Sequence, residues 1–190
     1  VLEGLSKEEL SSGSQTAIIF VLSLVFVYFI LAAQYESFLL PLSVIISLPL
    51  GVAGAYFGQK IAGLENNIYF QIALIMLVGL LAKNAILIVE FAVQRRHHGE
   101  TLAMSAINAA KARLRPILMT SFAFIFGMVP LVFASGIGKV GNQSIGTGAA
   151  AGLLIGTFFG LIAIPVLYVI FQWLQEKIKP IKEKDINVAE

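Results

Sequence analysis

Apolar residues in this chain come in long runs nearly free of charge, separated by short polar segments. Five runs are long enough to cross a bilayer as helices, at about 16–33, 38–57, 68–92, 116–134 and 146–173. The third reads IYFQIALIMLVGLLAKNAILIVEFA (Ile68 to Ala92). As a helix its 25 or so residues extend roughly 37 Å, enough to span with some tilt. Pro41 stands near the start of the second run and Pro49 inside it. A proline is tolerated in a membrane helix where neighbours re-satisfy the freed carbonyl, so Pro49 predicts a kink facing protein.

Composition turns this pattern into a class. The chain is 58% hydrophobic and 13% charged, with a mean hydropathy of +0.88. A soluble domain carries about a quarter charged residues. The expected fold is therefore an all-α membrane protein whose first partner is membrane lipid. A net charge of +2 gives no argument for nucleic acid. The absence of cysteine excludes disulfides and cysteine-ligated metals. His97 and His98 are adjacent and so do not share a helix face, which argues against a metal site. The lead-in VLEGLSKEELSSG is polar and acidic, unlike a signal peptide, and position 1 is not Met. The chain thus reads as a piece of a longer protein. No HExxH, GxSxG or paired aspartates occur within the runs, so an enzyme is not expected.

The connections set the topology. Arg95, Arg96, Lys111, Arg113 and Arg115 lie between the third and fourth runs against Glu100 alone, and Lys177, Lys179, Lys182 and Lys184 follow the fifth. The alternate segments carry one lysine each, Lys7, Lys60 and Lys139. The positive-inside rule then puts 93–115 and the tail 175–190 in the cytoplasm, and the lead-in 1–15 outside. The stretch 100–115 is alanine-rich and predicts a helix along the cytoplasmic interface. Small residues four apart (Gly51 and Ala55, Gly54 and Gly58, and Gly148, Gly152 and Gly156) predict close helix packing.

One residue breaks the apolar pattern. Lys83 lies near the centre of the third run, where a lysine costs at least about 2.5–3.5 kcal/mol and marks an ion or proton pathway, unless it snorkels to the interface, roughly 13 Å off at Gln94. Asn84 adjoins it, and Glu90 shares its face two turns on, about 10 Å away near the boundary. The fourth run opens with Arg113 and Pro116, followed by Thr120 and Ser121. A threonine hydroxyl there bonds either its own i−4 carbonyl or a partner across the bundle. None of the five runs contains an aspartate, so any carboxylate facing Lys83 at its depth is expected on helices outside this chain.

The motifs GLLAKNAILIVEFA (79–92) and RLRPILMTS (113–121) resemble the tenth and eleventh spans of resistance-nodulation-division (RND) efflux transporters. The resemblance extends through LAAQYESFLLPLSV (31–44), ENNIYFQI (65–72), GLSKEELSSGSQ (4–15) and GNQSIGTG (141–148), closest to the hydrophobe/amphiphile multidrug branch. It covers Gly4 to about Trp173, and the tail beyond resembles nothing in the family. It implies five helices of a six-helix repeat, from the C-terminal end of a twelve-span inner-membrane pump. It further implies drug/proton antiport driven by the proton motive force without a bound cofactor. A homotrimer, a periplasmic adaptor and an outer-membrane channel are implied as partners. By resemblance, Lys83 pairs with an aspartate pair in the N-terminal half of the transporter. Thr120 and Arg113 then belong to the proton relay, with Asn84 beside them and Glu90 and Ser121 in support. The alternatives are a structural helical membrane module and an RND relative exporting another substrate.

Overall fold

The computed structural model describes residues 2–178, with side chains from Gln15 onward except Thr16. The basic tail residues Lys179, Lys182 and Lys184 lie outside the described residues. The described chain is five helices without a strand: α1 (Leu2–Tyr35), α2 (Leu40–Ile61), α3 (Ile68–His97), α4 (Leu102–Val132) and α5 (Lys139–Ile178). Each contains a window apolar and long enough to cross a membrane, with mean hydropathies from 1.6 to 2.5. The chain is an all-α membrane fragment.

The helix limits run beyond the apolar runs. α1 already includes the lead-in, and α5 extends over 40 residues. Residues 93–115 do not form a separate interfacial element, because α4 passes through Pro116 unbroken from Leu102. Its first half is held by packing: Ser105, Ala106 and Ala109 are buried, the two alanines in one cluster with Ile88, Ala92 and Tyr168. Tertiary contact and alanine's helix propensity thus outweigh the bond that Pro116 removes. Pro49 is exposed and faces away from the bundle of described helices rather than into it.

Local chemistry fixes the ends. Ser37 Oγ accepts from the Leu39 and Leu40 amides at 3.2 and 3.4 Å, and Pro41 stands in the first turn of α2, where its missing N–H costs nothing. Asn67 caps α3 by accepting from the Phe70 amide at 2.9 Å, while its own amide donates to Ser144 Oγ of α5 at 2.8 Å. The other end of α3 carries Arg95, Arg96 and His97 in its last turn, complementing the helix dipole. Arg96 forks onto Glu176 of α5 at 2.8 and 2.9 Å, and Ser37 donates to Gln175 at 2.6 Å. The α1–α2 turn, the α3–α4 loop and the end of α5 therefore share one end of the bundle.

α5 is the spine, packing most extensively on α2 and then on α4 and α3. The α2–α5 seam is closed by glycine. A Cβ on Gly152 would meet the Leu77 side chain, Ala55 Cβ at 2.9 Å and the Gly51 carbonyl at 3.1 Å. One on Gly156 would stand 3.0 Å from Gly51 Cα, and one on Gly58 would collide with Ala151 Cβ. Backbones this close gain dispersion contacts that larger residues forbid. By contrast α1 turns Ile18, Leu22, Phe26 and Phe29 outward, a lipid-ready face.

Gly152→Leu should lower stability by about 1–3 kcal/mol through overpacking. Gly79→Ala, where nothing lies within 4 Å, should be neutral or stabilising by up to about 1 kcal/mol. Thermal unfolding in detergent checks both signs. The Asn108 amide foremost, with Arg95 behind it, holds the Glu100 carboxyl below the usual carboxylate range despite some desolvation. The tie is therefore complete above that range and lost as pH falls through the depressed value. Backbone protection over 98–102 should be retained at pH ~5 and lost only as pH falls below the ordinary carboxylate range, read as hydrogen-exchange protection factors.

Candidate functional site

Lys83 sits in the middle of α3 and is exposed, on the opposite side from the α3 residues Leu81 and Ala85 that face the other helices. Among the described residues the ion pairs are Arg95–Glu100 and Arg96–Glu176, and Lys83 takes part in neither. No hydrogen bond among them joins it to Asn84, Glu90 or Thr120. Asn84, turned about 100° further round the helix, is half-buried. It lines a crevice of about 10 Å³ with Ser47, Thr157 and Gly156, room for a single water at most.

The residues of α4 divide. Thr120 is exposed, and its hydroxyl donates back to the carbonyls of Pro116 and Ile117, both at 3.1 Å. Ser121, one position on, is buried and shares a hydrogen bond of 3.1 Å with Thr157 of α5. Arg113 is half-buried with its guanidinium 4.9 Å from the Phe91 ring centre, and Arg95 stands over the same ring at 5.0 Å. Such contacts contribute about 0.5–1 kcal/mol where exposed and more where dry. Arg113 Nε is buried without a partner among the described residues.

Glu90 lies apart from this group. It lines a polar cavity of about 280 Å³ with Gln34, Tyr35, Glu36, Gln94 and His97. The Tyr35 hydroxyl donates to the Ile86 carbonyl at 3.3 Å, fastening α1 to α3 beside it. The described helices therefore arrange three separate polar places: Lys83 on an open face, Asn84 with the Ser121–Thr157 pair inside, and Glu90 at the basic end.

The sequence model of the AcrB/AcrD/AcrF family matches residues 2–172. The chain belongs to that family. It is 45% identical over 97% of its length to the toluene efflux pump membrane transporter TtgB of Pseudomonas putida. It is 45% identical over 93% to the multidrug resistance protein MdtF of Escherichia coli. Against the solvent-resistant pump membrane transporter SrpB of Pseudomonas putida it is 44% identical over 97%. The chain spans 17% of the length of the first two and 18% of the third. Its relatives are RND multidrug and solvent efflux transporters.

Within this AcrB/AcrD/AcrF segment, Thr157 and Ser47 are polar contributors that sequence reasoning passed over. Thr157 directly follows Gly156 in the small-residue stripe of α5, and a lone hydroxyl within a packed stripe needs a partner. That was the available signal. Ser47 gave less, since its hydroxyl is satisfied by the Val44 carbonyl at 2.6 Å.

In the family's full-length protein, Ser121→Ala and Thr157→Val should each destabilise by about 0.5–1.5 kcal/mol. The double variant should lose less than their sum, and a thermal-unfolding double-mutant cycle reads that coupling.

Proposed function

We propose that this chain is the C-terminal membrane segment of a proton-coupled multidrug efflux pump, exchanging drug for protons across the bacterial inner membrane. The observation that carries the reading is Lys83: a cation at mid-depth of an apolar helix, exposed on an open face, with no ion-pair partner among the described residues. In lipid that placement costs several kcal/mol, so an acid on another helix of the same transporter is needed to cover it. The aspartate pair implied by the RND resemblance supplies that acid.

The chemistry then follows from charge. Ionised acids hold Lys83 by charge-assisted bonds. A proton neutralises them, the attraction falls, and Lys83 turns toward neutral acceptors, Asn84 next to it on α3 and Thr120 on α4. Breaking the local bonds of Thr120 to Pro116 and Ile117 frees its hydroxyl for that role. Arg113, over the Phe91 ring, orients α4 against α3, and Ser121 and Glu90 act in support. Proton binding thereby becomes helix displacement, driven by the proton motive force without a bound cofactor. The basic end is cytoplasmic. The assembly is a homotrimer joined to a periplasmic adaptor and an outer-membrane channel, and its substrates are drugs and solvents, as the names of its relatives say of them. The structural-module reading is less favoured, because the glycine faces it would offer to partners are packed among α2, α3 and α5.

Lys83→Met in the full-length transporter should leave expression and trimer formation intact. It should abolish drug-driven proton flux in proteoliposomes, read with an internal pH dye. Wild-type flux in the variant would overturn the proposal.

A further inference from the structure

The outer side of the α4–α5 contact carries a groove of about 640 Å³. Its wall includes Leu114, Leu118 and Ile125 of α4 and Leu154 and Phe158 of α5, with Lys111 as its only charged residue. Two hydroxyls reach the groove, Ser121 and Thr157, and these are bonded to each other, so the trough presents an apolar floor. Lys111 marks the end nearest the basic α3–α4 loop. Along α4 from Lys111 to Ile125 the rise is roughly 21 Å. That matches one leaflet of hydrocarbon, about 15 Å, with its headgroup layer of roughly 5–7 Å.

We propose that this groove binds one anionic phospholipid from the leaflet at the basic end, its phosphate on Lys111 and an acyl chain between α4 and α5. Charge and length select this occupant. A lysine at headgroup depth is a point charge suited to phosphate. An apolar trough of one leaflet's depth suits a single chain. An apolar helix in the same place would leave Lys111 unanswered. The site is independent of proton coupling at Lys83.

The test uses the intact transporter in phosphatidylcholine nanodiscs containing a minor fraction of phosphatidylglycerol with a photoreactive diazirine in its tail. Mass spectrometry of the cross-linked peptides should place the label on 118–125 and 154–162. Lys111→Ala should reduce it by about five-fold, whereas Lys111→Arg should retain it. Lys139→Ala, at the opposite end, should leave it unchanged. Leu154→Trp, on an exposed position of the wall, should reduce labelling by filling the trough without touching the charge. The same diazirine on phosphatidylcholine should label the groove no more than the outward face of α1. Equal labelling by both lipids would overturn the proposal, since it reports ordinary annular contact. So would undiminished labelling of Lys111→Ala. An unlabelled groove in the wild type would overturn it in favour of another helix of the transporter as occupant.

Discussion

The approach of α5 to α2 sets the rest of the bundle. Two helices can come this near only where side chains vanish, and Gly51, Gly152 and Gly156 provide the gap at one level. Leu77 and Leu81 of α3 then reach into the space the glycines leave, so the third helix is keyed to the first two. In lipid, where burying an apolar surface gains little over leaving it exposed, such contact and the few polar ties must hold the helices together. Apart from the Ser121–Thr157 pair, these ties sit towards the ends: Asn67 with Ser144 at one, Arg96 with Glu176 and Ser37 with Gln175 at the other.

Against that fixed frame the polar residues at mid-depth fall into different states. Ser121 and Thr157 satisfy each other and weld α4 to α5. Thr120 satisfies itself, and Lys83 stands open. A group whose partner is only its own backbone can change partner at small cost, while one in a buried pair cannot. The division between anchoring and exchangeable hydroxyls thus runs between two neighbouring residues of one helix.

That same division shows where sequence reasoning stopped. The five helices were legible, because an uninterrupted apolar run in lipid has only the helix available to satisfy its backbone. Lys83 was legible for the complementary reason, a cation where none should be. Whether Thr120 or Ser121 met another helix was not, since a single residue step rotates a side chain by about 100° and only the neighbour's position settles which one is covered. The four-residue spacing announced a tight seam but not that Gly152 would meet Gly51 and Ala55. Pro116 looked like a boundary, because its missing N–H is visible in sequence while the packing of Ala106 and Ala109 that carries α4 past it is not.

The length of α5 has a consequence of its own. Forty residues make a rod of roughly 60 Å, about twice the hydrocarbon thickness. A tilt of 40°, the upper end of what membrane helices adopt, still leaves about 46 Å along the bilayer normal. The rod must therefore stand clear of the oil by some 15 Å or more in total, and its composition marks where: Lys139 to Ser144 at one tip, Gln172 to Lys177 at the other. It works as a mast through the membrane, and Pro165, its one interior proline, is the place along it where a displacement imposed on one aqueous tip can be turned before it reaches the other.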